Sequence, residues 1–158
     1  MEFSLSNEQE MIIDTVRSFV EQELYPHEDE VEKTNHIDTG LAESIKQKAI
    51  NLGLYAANMP VEYGGGGLDT LTLCLLEKEL GKANFGLQYI VARPSNILMA
   101  CKDEQIDKYL VPTIRGEKVD CLAMTEPNAG SDVRSMKCHA ERDGEYFVIN
   151  GSKHFISH

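Results

Sequence analysis

The chain has 158 residues, 42% of them hydrophobic and 26% charged, a composition typical of a globular protein with one substantial core. Its formal net charge of -11 repels phosphates and therefore argues against nucleic acid as a partner. No apolar run reaches the roughly 20 residues that a membrane-spanning helix needs. The N-terminus shows neither the basic start of a secretory signal nor the Arg-rich character of a transit peptide, so a cytoplasmic location is expected.

Cysteines and histidines indicate no metal site. The cysteines are widely spaced, without a C-x-x-C pair, so neither a zinc site nor a disulfide framework is predicted, and we expect buried, reduced thiols at Cys74, Cys101, Cys121 and Cys138. The histidines are scattered through the sequence and are interpreted as surface or strand-face residues: His27, His36, His139, His154 and His158.

The first part of the chain predicts helices. A capping box at Ser6 and Gln9 precedes apolar residues at helical spacing. Cap residues begin three helices and Pro or Gly ends them, over Ser6 to Pro26, Asp38 to Gly53, and Asp69 to Gly81. Residues 85–101 are apolar nearly all round, which predicts a helix buried on several faces and interrupted at Pro94. Asp103 is expected to cap a further short helix.

After Lys118 the pattern changes from helical spacing to alternation. Residues 119–124 predict a buried strand, and two Gly-containing turns at 143–144 and 150–151 separate three more strands, at 140–142, 145–149 and 152–157. We therefore expect an antiparallel meander whose last strand leaves an open edge.

Three segments carry a resemblance to a known family: residues 122–132 (LAMTEPNAGSD), 150–157 (NGSKHFIS) and 62–68 (EYGGGGL). The glycines of the last segment, taken alone, predict only a flexible turn, because the Lys-Ser/Thr of a phosphate-binding loop is missing. Together the three segments resemble the acyl-CoA dehydrogenase family of flavoenzymes. The resemblance implies a mainly α fold with a small antiparallel β part. It places an all-α N-terminal domain at residues 1–118 and the incomplete start of the middle β domain at residues 119–158.

The resemblance also implies FAD as cofactor and an acyl-CoA thioester as substrate. Flavin contacts are expected from Leu122, Ala123, Met124 and Thr125, and from Phe155, Ile156 and Ser157. The Thr125 hydroxyl would hydrogen-bond the flavin ring near N5, and Ser131 would contact the acyl-CoA or the nearby cofactor. Phe155 departs from the family, which commonly has Trp there, so a weaker contact is expected. Asp132 is expected to hold the loop by accepting backbone N–H bonds.

The catalytic base of the family usually comes from a C-terminal helical bundle, so no catalytic residue is assigned in this chain, and the chain alone is expected to be inactive. Glu126 could be considered as a base, but a carboxylate beside Pro in a tight loop is more often an acceptor for backbone N–H groups.

Arg93 lies in an apolar stretch, where an unpaired cation is costly to bury. The sequence leaves two structural alternatives, exit at the Pro94 break or pairing with a carboxylate. A functional hypothesis is that Arg93 binds substrate, by lining the acyl pocket and selecting a polar or anionic acyl tail.

Three functions remain open. The first is a FAD-dependent acyl-CoA dehydrogenase of fatty acid metabolism, or the amino-terminal part of one, with an electron-transfer acceptor and a homo-oligomeric assembly. The second is a non-catalytic remnant or assembly subunit that needs a complementing chain, which the end of the sequence at His158 suggests. The third is an acyl-CoA oxidase, which differs mainly in oxygen access.

Overall fold

The computed structural model describes residues 4–91 and 93–157. The expectations for Met1 to Phe3, for Ala92 within the apolar stretch and for His158 lie outside the described residues. The described residues up to Lys118 form one compact unit, the helical unit, and those from Val119 form a second, the β unit. The predicted fold class, mainly helical with a small antiparallel β part, is confirmed.

Helix α1 spans Asn7–Phe19 and begins with the predicted capping box, because Ser6 and Gln9 each bond the other's backbone N–H. A π-helical turn (Val20–Leu24) and a 3₁₀ turn (Tyr25–His27) extend it. The predicted stop at Pro26 is wrong, because α-helical bonding already ends at Phe19 and the helical path continues past Pro26 into α2, over Glu28–Thr34. The apolar side of this path supplies core residues, namely Val16, Phe19, Val20, Leu24 and Val31.

Helix α3 (Thr39–Asn51) and helix α4 (Thr70–Leu80) start at the predicted caps. The Asp38 carboxylate accepts two backbone N–H bonds, and the Asp69 carboxylate does the same. Helix α4 packs on α1, where Arg17 forms an ion pair with the buried Glu79 at 3.3 Å. These two helices supply Ile45, Ala49, Leu76 and Leu80 to the buried core.

Pro94 interrupts the apolar stretch as predicted: α5 spans Phe85–Ile90, and a 3₁₀ turn follows over Asn96–Ala100. The expectation of burial on several faces is wrong, because four large side chains are exposed, namely Phe85, Tyr89, Ile97 and Met99. Apolar residues on all sides of a segment make its burial favourable, but a side chain is buried only where another element packs against it. The described residues leave these four side chains largely exposed to solvent.

Asp103 is not the cap that was expected. It has a φ of 48°, and the backbone N–H of Lys102 is bound instead by the Gln105 side chain at 3.1 Å. A π-helical turn (Ile106–Leu110) and α6 (Val111–Ile114) follow, and Gly116, with a φ of 72°, ends the helical part.

The glycine-rich loop, residues 64–67, is tightly bonded rather than a flexible turn. The backbone N–H groups of Gly65, Gly66 and Gly67, and that of Leu68 just after the loop, donate to backbone carbonyls of residues 56–60. A Cβ atom at Gly65 would lie 2.2 Å from the Met59 carbonyl oxygen, so only glycine allows this close approach of two backbones. The glycines are required by packing inside the helical unit.

In the β unit, β1 (His139–Asp143) pairs antiparallel with β2 (Tyr146–Asn150), joined by Gly144 and Glu145, one residue later than the predicted turn. The expected strands at 119–124 and 152–157 are not formed, so the four-strand meander is wrong. Both segments have strand-like sequences, but a strand needs a ladder of backbone hydrogen bonds to a neighbouring strand, and within the described residues neither segment forms one.

The four cysteines are free thiols, as expected, but Cys74 and Cys121 are exposed and the other two are half-buried, so the expectation of burial is wrong.

In the part of the chain that the structure describes, no helix is both long enough and apolar enough to cross a membrane.

Candidate functional site

The loop that follows Met124 is closed by a tight turn around Pro127. Glu126 and Ala129 exchange two backbone hydrogen bonds, at 2.9 and 3.1 Å. Thr125, just before the turn, is half-buried, and its hydroxyl makes no hydrogen bond to another residue that the structure describes. Its donor is therefore available to a ligand. Leu122, Ala123 and Met124 precede it as an exposed segment.

Glu126 is the centre of the hydrogen bonding in the β unit, although it is only 8% exposed. Its Oε2 atom accepts the N–H of Lys137 at 2.8 Å, and its Oε1 atom accepts the N–H of Cys138 at 2.9 Å. Oε1 also accepts from Lys153 Nζ at 3.0 Å. These donors, the Lys137 N–H foremost and the Lys153 ammonium next, lower the pKa of Glu126 from 4.5 to about 2. Glu126 is thus the backbone acceptor that its position beside Pro127 predicted.

Lys153 joins the two segments for which flavin contacts are predicted. Its Nζ atom donates to the Met124 carbonyl at 2.9 Å as well as to Glu126. The next residue, His154, donates its backbone N–H to the Thr125 carbonyl at 2.8 Å. Because these bonds tie residues 124–126 to residues 153–154, the loop and the C-terminal segment lie side by side without belonging to one sheet.

The C-terminal segment exposes an aromatic ring. Phe155 is 82% exposed, and its φ of 56° lies in the left-handed region, which bulky residues rarely adopt. Its ring stacks on that of His154. Ile156 is half-buried and Ser157 is exposed.

Asp132 holds the end of the loop as predicted. Its carboxylate accepts the N–H of Arg134 at 3.1 Å, and its carbonyl accepts from the Ser135 hydroxyl at 2.8 Å. These bonds start a 3₁₀ turn over Val133–Ser135. Ser131, immediately before, is exposed.

Arg93 belongs to the helical unit and combines the two structural alternatives. Its side chain is 45% exposed, and its Nε atom lies 2.6 Å from Glu77 Oε1. Glu77 Oε1 is buried and accepts no aligned hydrogen bond from the described residues, so the contact is an ion pair held by charge. Burial raises the pKa of Glu77, and the Arg93 cation opposes that rise.

Two other features carry no predicted site residue. A surface groove of the helical unit is lined by residues of the first helical path and of α3, including Ser18, Phe19, Lys48 and Leu52. No cluster of His, Cys, Asp or Glu suited to a metal ion occurs among residues 4–91 and 93–157.

Sequence reasoning missed the role of Lys153. A signal was present, because this Lys lies inside the segment that carries the resemblance and is the only cation between β2 and Phe155. Its partner could not be read from the sequence, since Glu126 and Lys153 are 27 positions apart.

Comparisons with known proteins agree over both units. Residues 6–117 match the family model of the acyl-CoA dehydrogenase N-terminal domain, and residues 121–158 match that of the acyl-CoA dehydrogenase middle domain. A 3-(aryl)acrylate reductase of Clostridium sporogenes is 37% identical over 157 residues, covering 96% of this chain and 41% of the reductase. The mitochondrial isovaleryl-CoA dehydrogenase of Pongo abelii is 37% identical over 158 residues, covering 97% of this chain and 37% of that protein.

A solved structure extends the likeness to three dimensions. The acyl-CoA dehydrogenase of Bacillus anthracis complexed with FAD superposes with a TM-score of 0.76 at 30% identity, over 97% of this chain and 27% of that chain. The chain spans 41% or less of the length of these three proteins. The two domain matches and the shared fold establish that the chain belongs to the acyl-CoA dehydrogenase family.

Proposed function

We propose that this chain acts as part of an acyl-CoA dehydrogenase, in the FAD-dependent α,β-dehydrogenation of an acyl-CoA thioester. One observation carries the proposal: the uncommitted Thr125 hydroxyl and the exposed Phe155 ring are held in one hydrogen-bonded unit by Lys153 and His154. A hydrogen-bond donor and an aromatic face, fixed near each other, suit a planar ring that also accepts hydrogen bonds.

The described residues fit a flavin in type. Leu122, Ala123 and Met124 with Phe155, Ile156 and Ser157 would contact the ring system, and the Thr125 hydroxyl would donate a hydrogen bond to it. When bound, FAD would accept a hydride from the substrate. A donor fixed in advance stabilises the negative charge that then develops, because it need not reorient during the reaction.

Substrate contacts are proposed at Ser131 and Arg93. Ser131 is exposed beside the loop that Asp132 holds, so its hydroxyl is free to meet the acyl-CoA or the cofactor. Arg93 is proposed to select a polar or anionic acyl tail. Among the residues that the structure describes, its charge partner is one carboxylate oxygen of Glu77, and its half-exposed guanidinium keeps donors for a ligand.

The base that removes the α proton is proposed to come from outside the described residues. Glu126, the carboxylate nearest to Thr125 in the sequence, has a pKa of about 2 and receives three hydrogen bonds. A general base works best with a pKa near the operating pH, and it needs a lone pair directed at the proton. Glu126 fails the first condition, and three of the roughly four acceptor positions of its carboxylate are already occupied, so we assign it to the loop rather than to the chemistry.

The proposal extends to domains and partners. We place the domain boundary between residues 118 and 119, which the division into two units and the limits of the two family models support. An electron-transfer acceptor, a homo-oligomeric assembly and a cytoplasmic location complete the proposal.

A second candidate function is a subunit without activity of its own that is completed by another chain. The exposure of β2 on both faces favours it, since Tyr146, Phe147, Val148 and Ile149 are all exposed. Apolar strands of this kind are ordinarily covered by further strands or by a partner.

The two candidates are separated by expressing the 158-residue chain alone and the complete reading frame that contains it. We expect the chain alone to be colourless and inactive, because half of a ligand site loses far more than half of the affinity. The complete product should be yellow and should bleach on addition of an acyl-CoA. A complete product that binds no flavin would reject the dehydrogenase proposal, and activity that appears only with a second polypeptide would favour the subunit.

A further inference from the structure

His154 and Phe155 are neighbours in the sequence whose rings stack face to face. The ring centroids are 3.7 Å apart and the ring planes differ by 15°. Side chains of consecutive residues point to opposite sides of an extended backbone, so an extended segment cannot stack them. The φ of 56° at Phe155 reverses the chain direction locally and brings its ring over the imidazole.

This conformation is strained, and it persists only where the surroundings hold it. The residues just before Phe155 are held on two sides: Lys153 Nζ bonds the Met124 carbonyl at 2.9 Å, and the His154 N–H bonds the Thr125 carbonyl at 2.8 Å. The strained conformation does not serve to bury the Phe155 ring, which is 82% exposed. The backbone instead presents one face of the ring outward and covers the other with the imidazole.

We propose that His154 is a positioning residue that stacks behind Phe155 and holds its ring as a preformed platform for the planar ring system of the flavin. The inference rests on the proposed function. A phenyl ring offers less area than an indole and can rotate about two side-chain torsions. The imidazole behind the ring restricts that rotation before the ligand binds, so the conformational entropy lost on binding is smaller.

The first test measures the FAD affinity of the apo form of the complete gene product by the change in flavin fluorescence. His154→Ala removes the supporting ring and should weaken FAD binding about three- to tenfold, the effect of ordering one side chain. His154→Phe keeps a stacking ring and should bind FAD within about twofold of the original protein. His139→Ala is the matched control, because it removes an exposed imidazole from β1 of the same unit and should change nothing.

A double-mutant cycle with Phe155→Ala separates positioning from general stability. If His154 acts through Phe155, then His154→Ala should cause no further loss of FAD affinity once the Phe155 ring is gone. Independent, additive losses would overturn the inference, as would a His154→Phe variant that binds as weakly as His154→Ala.

Ring-current shifts of the His154 imidazole protons in NMR spectra report the stacking without any flavin. Unshifted protons overturn the inference even if FAD binds and the proposed function holds. Shifted protons in a complete protein that binds no FAD overturn the proposed function, and with it the ligand assigned to the platform. The inference and the proposed function are both supported if the protons are shifted, His154→Ala weakens FAD binding, His154→Phe restores it, and His154→Ala has no further effect in the Phe155→Ala background.

Discussion

Replacing Glu126 by Gln removes the charge that organises the β unit while keeping the size of the side chain. The carboxylate accepts from two backbone N–H groups and one ammonium. An amide turns one of its two oxygens into an NH₂ donor, which then faces a donor of the protein. We expect the amides of Lys137 and Cys138 to lose protection against hydrogen exchange, and the Thr125 loop to lose its register with residues 153–154.

The pKa of Glu126 sets the pH range in which its charge stabilises the folded chain. The pKa of Glu126 falls from 4.5 to about 2 in the folded chain, so the folded state favours the ionised carboxylate. A depressed pKa contributes stability above the unfolded value of 4.5. That contribution is lost as the pH falls from about 4.5 through about 2, because Glu126 is protonated in both states only below the folded value.

The measurement is an NMR titration of the Lys137 and Cys138 amide shifts from neutral pH downward. Both should move with a midpoint near 2, the pKa of their acceptor. Glu126→Gln should abolish this transition, whereas Glu141→Gln, the same charge change at an exposed carboxylate of β1, should leave it intact. A midpoint above about 4 in the original chain would refute the reasoning, since it would mean an unperturbed carboxylate.

Three other predictions concern separate parts of the molecule. Gly65→Ala should destabilise the helical unit by about 3 kcal/mol or more in urea unfolding, because the new Cβ meets the Met59 carbonyl; Gly53→Ala, with open space around its Cβ and only a positive φ to strain, should cost about 1 kcal/mol. Equal losses would contradict the clash. Thr125→Ala in the complete protein should slow flavin reduction ten- to a hundredfold, about 1.5 to 3 kcal/mol, with a smaller effect on flavin affinity; unchanged stopped-flow bleaching would exclude the role. Arg93→Met should lower kcat/KM for acyl-CoA substrates with polar or anionic tails far more than for simple fatty acyl-CoAs, and equal losses would reject the selectivity.

The helical unit could be predicted well from the sequence because its signals are local. A cap such as Asp38 or Asp69 acts within three residues, and a proline inside a helical stretch, as at Pro94, removes a backbone donor at its own position. The glycine loop was misjudged for the opposite reason. Its glycines are explained by the backbone of residues 56–60, and no local pattern shows which backbone will pass so close.

The β unit was harder because strands depend on partners. Residues 119–124 and 152–157 have suitable sequences, yet only β1 and β2, joined by a short turn, form a ladder. The candidate site followed from family motifs, which name residues but not their contacts. The Lys153 bonds that unite the two segments join residues far apart in the sequence, so no local pattern predicts them.

The exposed hairpin also has a consequence for handling the chain. Strand β2 reads Tyr-Phe-Val-Ile-Asn and contains neither Pro nor a charge, and its four large residues face solvent. Segments of this kind stack into intermolecular sheets when their edges are free. The charges that oppose such stacking stand next to it, at Glu141, Arg142, Asp143 and Glu145. Since three of these four are acidic, solubility of the 158-residue chain should fall as acid neutralises them, and raised salt should have the same effect by screening the repulsion.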